Sequence, residues 1–322
     1  MTHDATPRTP APGTAHHTGA RVAICFVVAD SRHRIPRRPR WRWLYRSVRR
    51  ALLRASVGWK QREPRDADYA VGLGNAIATL RKRSRDLPPI LLLSPDDGPK
   101  PDGVDELLRV DTVGYRKVRG VAYEFGVSVF YKLEVFRLSG YDRVVYFDCD
   151  LLFVDDVSAL WDMRRYRDHA MYAVRESADN GASYPPAFGT FNSGVLVLNA
   201  PMLHEEVHDD LLEIAAAGRS SDGGDQGVLH RFLTTAPNHR RAGELEPAFN
   251  LFVDDASLAS GLLNRGAKIL HFTGTDKPFA RGRPPGSDRP TDRLYAAVIA
   301  SEAPRPLAQG AAALLASSAP SR

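Results

Sequence analysis

Apolar runs of strand length, each opening or closing on polar residues and separated by segments of helical period, constrain this 322-residue chain more than any other feature. Val22–Ala29 is long enough for a buried central strand and short for a helix. Ile90–Leu93, Arg143–Phe147, Gly194–Leu198 and Lys268–Phe272 read the same way. Between them, Tyr69–Lys82 carries Val71, Asn75, Ala78 and Leu80 on a helical period, and Val127–Leu138 ends at Ser139-Gly140. Met202–Ala217, stopped by Gly218, and Asp225–Phe232 are further helices. Such alternation is the signature of an α/β sheet with crossover helices, whose ligands bind off the carboxyl ends of strands. The polar clusters at those ends are therefore where function is sought.

Composition excludes several classes. With 43% hydrophobic and 25% charged residues the chain is of ordinary globular make-up. No stretch approaches the roughly 20 apolar residues a bilayer span needs. The first twenty residues lack an apolar core, so no export signal is expected, and they read as a tail (1–20). Residues 281–322, rich in Pro and Ala, read as a second tail, with short helices at Asp292–Ser301 and Leu307–Ser317. One domain, 21–280, is expected between them. Only Cys25 and Cys149 are present, both in apolar runs, so a disulfide framework is not expected and a reducing cytoplasm fits.

The net charge of +6 conceals an asymmetry. Arg32 to Arg65 holds thirteen Lys or Arg against Glu63 alone, a local +12, so the remainder carries −6. An acidic body with one basic insert is not a nucleic-acid coat. Within the insert, Trp41, Leu44, Tyr45, Val48, Leu52 and Ala55 recur at helical steps among arginines, giving a basic amphipathic helix. Three readings stand: a lid packed on the domain, a grip on an acidic acceptor, or attachment to an anionic membrane surface.

Four clusters carry chemistry. Asp148-Cys149-Asp150 ends an apolar strand, and period-two alternation turns both carboxylates to one side. Paired like charges there want a cation, although a solvated acidic turn is the plainer alternative. His271, closing another strand, offers a nitrogen ligand that favours Mn²⁺ over Mg²⁺, with Gly274 and Lys277 placed to meet a phosphate; a packed histidine before a Gly-Pro loop is the alternative. In Ser221-Asp222-Gly223-Gly224-Asp225-Gln226-Gly227, one aspartate suits a helix cap, Asp225 before Gln226 being a candidate, and the acids and amide suit a sugar's hydroxyls. Asn192-Ser193 precedes a strand and either binds ligand or satisfies a turn. A lone helix lysine such as Lys132 is ordinarily a solvated surface group.

Taken in order, Tyr131-Lys132-Leu133, Val144 to Asp150, Phe191-Asn192-Ser193-Gly194-Val195, Asp222 to Gly227, and His271-Phe272-x-Gly274-x-x-Lys277-Pro278 resemble the glycogenin-type retaining glycosyltransferases, glycosyltransferase family 8. The likeness runs from about Val22 to Phe279. It implies a single GT-A domain, a Rossmann-like nucleotide-sugar-binding α/β fold with a central mixed, mostly parallel sheet. It implies a hexosyltransferase using a nucleotide sugar, usually a UDP-sugar, with Mn²⁺. Carried over by position, Asp148, Asp150 and His271 are the metal ligands. Gly274 and Lys277 hold the diphosphate, and Val28, Ala29 and Asp30 begin the nucleotide pocket. Lys132 reaches the donor, and Asn192, Asp222 and Asp225 line the sugar and reaction centre. No tyrosine lies between Gln226 and Phe249 to serve as a self-glycosylation site, so a separate acceptor is expected.

Two other functions compete. A sugar nucleotidyltransferase wants a glycine-rich phosphate loop after the first strand, whereas Ala29-Asp30-Ser31-Arg32 has no glycine. A degenerate transferase acting as a binding module through its basic insert is expected to have lost an active-site acid, and none is missing.

Overall fold

The strand β1 (Val22–Val27) lies in the interior of the main sheet, with Ala23, Ile24, Cys25 and Phe26 all inaccessible to solvent. In this computed structural model, residues 19–28, 68–95, 98–119, 127–177, 181, 191–235, 242–254, 257–258, 266–273, 277–280 and 289–301 are described. After β1 come α1 (Tyr69–Arg83), β2 (Ile90–Ser94), β3 (Glu106–Arg109) and a 3₁₀ helix, Val127–Arg137. They are followed by β4 (Arg143–Phe147), β5 (Leu151–Phe153), β6 (Met171–Val174) and β7 (Asn192–Asn199). Then come α2 (Glu205–Ala216), α3 (Asp225–Thr234), β8 (Ala242–Leu245), β9 (Leu251–Phe252), β10 (Ile269–His271) and α4 (Pro290–Ala300).

Seven strands form the main sheet in the order β3-β2-β1-β4-β7-β6-β8. It is mixed and mostly parallel, because only β7 runs against its neighbours, β4 and β6. Period-two alternation divides its side chains between two cores. Ala23, Cys25, Val144, Tyr146, Leu196 and Leu198 face the 3₁₀ helix, α2 and α3. Ile24, Phe26, Val145, Phe147, Val195 and Val197 face α1 and β5. Burial on both faces is why these strands read as continuous apolar runs.

The strand expected over Lys268–Phe272 is β10, but the second, three-stranded sheet it forms, β5-β10-β9, was not expected from the sequence, because β5 and β9 are only three and two residues long. It positions the site. β10 pairs antiparallel with β5 so that His271 lies opposite Leu151, and the Phe272 amide donates to the Asp150 carbonyl at 3.0 Å. β9 runs parallel to β10 on the other side, with Phe252 opposite His271.

Several expectations need correction. The region from residue 281 onward is not tail throughout: α4 buries Leu294, Tyr295 and Val298 against Phe272 and Phe279, and the Tyr295 hydroxyl accepts from Asn75 at 3.0 Å. The helix expected over Met202–Ala217 begins only at Glu205; Ala200–Met202, holding Pro201, forms a separate 3₁₀ turn. Its end falls as expected, at Gly218, whose φ of 69° lets the Arg219 amide reach back to the Ile214 carbonyl. The segment Val127–Leu138 is wound as 3₁₀, with every residue from Phe130 to Phe136 buried. The basic insert, residues 1–18, and Leu307–Ser317 lie outside the described residues. Among the described residues, no helix is long and apolar enough to cross a membrane.

Arg143, at the start of β4, is fully buried. Its guanidinium donates to Asn199 Oδ1 (2.8 Å) and to the carbonyls of Leu160, Asp162, Arg165 and Tyr166 (2.7–3.3 Å), tying the 160–166 loop to the sheet. An unsatisfied buried polar group costs about 1–3 kcal/mol, and removing this side chain leaves several. Arg143→Met is therefore expected to lose at least about 3 kcal/mol of stability, read from the shift of the urea denaturation midpoint.

Candidate functional site

The apolar residues of β4 end at Phe147, and the chain turns through Asp148-Cys149-Asp150 into β5. The Asp148 amide continues the ladder to the Gly194 carbonyl at 2.9 Å, so the entry of antiparallel β7 lies beside the exit of β4. His271 arrives at the same place through β10. One ligand atom each from Asp148, Asp150 and His271 lie within 4.8 Å of one another.

The two aspartates are served by different cations. Lys277 Nζ donates to Asp150 Oδ2 and to the Phe272 carbonyl, the latter at 2.6 Å. Burial opposes ionisation of Asp150, but the adjacent Lys277 ammonium outweighs it and holds the carboxyl well below its usual range. Lys277 in turn is raised above its ordinary value by Asp150, against the pull of its own burial. On the other side, Lys132 Nζ lies 3.1 Å from Asp148 Oδ1 and 2.8 Å from Asp225 Oδ2, and donates to Ser193 Oγ at 3.1 Å. Lys132 is not the solvated surface group its helix position suggested, since its side chain is only 6% exposed. Burial lowers its affinity for a proton, but Asp148 and Asp225 more than restore it. The Tyr146 hydroxyl donates to Asp148 Oδ1 at 2.5 Å, and burial together with that carboxylate pushes the phenol well above its normal range.

The structure separates the two aspartates of the glycine-rich turn. Asp222 Oδ1 accepts from the amides of Gly224 (2.7 Å) and Gly227 (3.0 Å) and from Ser220 Oγ (2.8 Å), so Asp222 organises the turn and the start of α3. Asp225, suggested as the cap, is instead the first residue of α3. Its Oδ2 accepts from Ser193 Oγ at 2.7 Å as well as pairing with Lys132, so it belongs to the site. Asn192 is also internal: Oδ1 accepts from the Gly194 amide (2.9 Å) and Asn250 Nδ2 (2.8 Å), and Nδ2 donates to Gln226 Oε1 (3.2 Å) and Glu176 Oε1 (3.4 Å). Val28 is half-buried just past β1, its amide on the Leu93 carbonyl at 3.1 Å. Ala29, Asp30 and Gly274 lie outside the described residues.

Residues that sequence reasoning missed stand behind these. Asn250 is fully buried, and its Oδ1 lies 2.8 Å from His271 Nδ1. The one available signal was an asparagine beside the apolar pair Leu251–Phe252. Gly194 was read only as part of a motif, yet a Cβ there would lie 2.5 Å from His271 Cε1, so only glycine lets the imidazole cross the strand. The Phe252 ring meets the imidazole edge-on, 5.5 Å between centroids.

These residues fit a cation. Asp150 Oδ1 is buried with no hydrogen-bond partner, although His271 Nε2 lies 3.2 Å away. A buried carboxylate oxygen without a hydrogen bond, facing an imidazole nitrogen, is a ligand pair that suits a positive charge between its members. Two carboxylates and one imidazole suit a divalent ion such as Mn²⁺.

Comparison with known proteins points to one family and one fold. Residues 123–281 match the family model "Glycosyl transferase family 8". The chain is 31% identical over 163 residues to glycogenin of Komagataella phaffii, covering 47% of this chain and 37% of that protein. It is 30% identical over 161 residues to human glycogenin-1, covering 48% and 41% respectively. The chain thus spans about two fifths of the length of these curated relatives. Among solved structures, an active-site mutant of LgtC superposes with a TM-score of 0.55 at 15% identity, over 86% of this chain and 94% of that one. The apo glycosyltransferase GlyE of Streptococcus pneumoniae gives 0.52 at 16% identity, over 92% and 62%. With a GT-A fold beneath it and this family's model matched from residue 123 to 281, the chain is similar over that stretch to glycosyl transferase family 8.

Proposed function

We propose that this chain is a retaining hexosyltransferase that uses a nucleotide sugar, a UDP-sugar, and a divalent cation, Mn²⁺, to glycosylate an acceptor hydroxyl. The observation that carries the reading is the meeting of Asp148, Asp150 and His271 around the partnerless Asp150 Oδ1. Asp148, Asp150 and His271 are the residues that would hold the cation. When bound, it supplies a Lewis acid that offsets charge on a departing diphosphate.

The chain's own residues do the rest. Lys277 brings a second positive charge to the side of Asp150 where that diphosphate would gather, so leaving-group charge meets a preorganised cation. Val28, Ala29 and Asp30 begin the nucleotide pocket at the end of β1, and Gly274 gives the diphosphate backbone access. Asp225 stabilises positive character on an oxocarbenium-like sugar. Its Oδ2 is already engaged by Lys132 and Ser193, which favours an electrostatic role over covalent attack. The sugar therefore transfers on one face: the acceptor oxygen bonds to the anomeric carbon as the bond to phosphate breaks, and the acceptor proton passes to the departing phosphate. Lys132 and Asn192 keep Asp225, Ser193 and Gln226 in register for this, and Asp222 holds the turn that presents Asp225. The acceptor is a separate molecule, and the basic segment from Arg32 to Arg65 recognises it if acidic, or anchors the enzyme to an anionic membrane surface.

Two outcomes check this reading. Purified protein is expected to release UDP from a UDP-sugar with Mn²⁺ and to stop in EDTA, and Asp150→Asn to lower the rate on the order of 100-fold or more. Undiminished turnover in EDTA, or by the variant, removes the proposal. Gly194→Ala drives a methyl against the imidazole; it should cost about 1–3 kcal/mol of stability and weaken Mn²⁺ binding in a calorimetric titration, with the far-ultraviolet circular dichroism unchanged.

A further inference from the structure

The hydrogen bonds behind His271 have a direction that can be read from their ends. The Gly194 amide is a backbone N–H and can only donate, so the Asn192 side-chain atom it meets at 2.9 Å is the carbonyl oxygen, Oδ1. A second anchor agrees: the Ser193 amide donates to Gln226 Oε1 at 3.2 Å, and that oxygen also takes a hydrogen from Asn192 Nδ2. Gln226 Nε2 and Asn192 Nδ2 both point at Glu176 Oε1, at 3.1 and 3.4 Å. Both backbone amides therefore impose the same orientation on Asn192.

Asn250 follows. The atom it presents to Asn192 Oδ1, at 2.8 Å, must be its Nδ2 donor, which leaves its Oδ1 facing His271 Nδ1 at 2.8 Å. An oxygen at that distance needs a hydrogen on Nδ1. In the neutral imidazole the other nitrogen, Nε2, is then bare. Nε2 is the atom 3.2 Å from Asp150 Oδ1, the buried carboxylate oxygen that has no hydrogen-bond partner. Turning the Asn250 amide over would set oxygen against oxygen on one side and leave the other nitrogen of the ring protonated.

We propose that Asn192 and Asn250 are positioning residues that carry the polarity of the Gly194 amide to His271, fixing its proton on Nδ1 and presenting a bare Nε2 to Asp148 and Asp150. The consequence for binding rests on the metal reading of the site; the tautomer itself does not. A ligating histidine whose other nitrogen is tied to an oxygen acceptor has its ring orientation and ligand basicity set by that partner. Here the partner is a neutral amide, fixed by a chain that begins in the sheet. The arrangement supplies a lone pair at Nε2 without adding a further buried charge.

The direct test needs no change to the network. Long-range ¹H–¹⁵N spectra of the whole protein at mildly alkaline pH, with the His271 signals identified by their loss in His271→Gln, should show a neutral ring with its proton on Nδ1. A proton on Nε2, alone or together with Nδ1, overturns the proposal. Asn250→Asp can only accept at this position, so it should keep the Nδ1 tautomer. Asn250→Leu should lose the tautomer bias and bind Mn²⁺ roughly 10–100-fold more weakly in a calorimetric titration, while Asn250→Asp stays closer to wild type than Asn250→Leu. An Asn250→Leu protein with wild-type tautomer and wild-type Mn²⁺ affinity also overturns it. If wild type carries the proton on Nδ1 but takes up no Mn²⁺, with or without UDP, the metal reading fails and the tautomer assignment stands.

Discussion

Concentrated negative charge at the exit of β4 is the constraint on which the rest of the structure depends. Asp148, Asp150 and Asp225 meet there, and two lysines, Lys132 and Lys277, are drawn in from distant parts of the chain to face them. Three carboxylates against two ammonium groups leave a negative remainder in a largely desolvated place. Buried ion pairs seldom stabilise a fold outright, because desolvation cancels most of the Coulomb gain. Their persistence here fits the role proposed for the remainder, holding a divalent cation.

The backbone brings these groups together through strand order. Because β7 runs against β4, its first residues, Asn192 to Gly194, lie beside Asp148 rather than at the far edge of the sheet. The small sheet does the same for the other half of the site: β5 continues from the acidic turn, β10 pairs with β5 and delivers His271, and β9 sets Asn250 behind it. Side chains buried this way lose freedom before any ligand arrives, which is how a site is preorganised. Gly194 shows how little slack is left, since a single methyl would strike the imidazole.

Much of the frame was legible along the chain. β1, β2, β4 and β7 announce themselves as apolar runs because both faces of the sheet are covered. α1 and α3 are legible as helices and the end of α2 from Gly218, although in α1 the residues read on a helical period include exposed Val71 and Ala78, and its buried face is Leu73, Ala76, Ile77 and Leu80. In the second sheet only β10 was legible, inside the apolar run Lys268–Phe272; β5 and β9, three and two residues long, carry no period. Nor was the packing of α4: Asp292–Ser301 was legible as a helix but read as part of a tail, while Leu294, Tyr295 and Val298 are held by Phe272 and Phe279, which come earlier in the chain. The 3₁₀ winding of Val127–Arg137 has no local signature either, its residues from Phe130 to Phe136 all being buried.

By itself the sequence determined which residue types could do chemistry and where strands would leave them: carboxylates after β4, a histidine at the end of β10, acids and an amide before α3. Those facts are local, set by side-chain alternation and by where apolar runs stop. Only the tertiary structure decided that Lys132 is buried between two aspartates, that Asp222 holds the turn while Asp225 faces the site, and that Asn250 stands behind His271. The bonds of Asp222 close a local turn, but the others join residues well separated in the chain, such as Lys132 with Asp225 and Asn250 with His271, and hydrogen-bond polarity and ion pairing have no meaning until such partners are within reach.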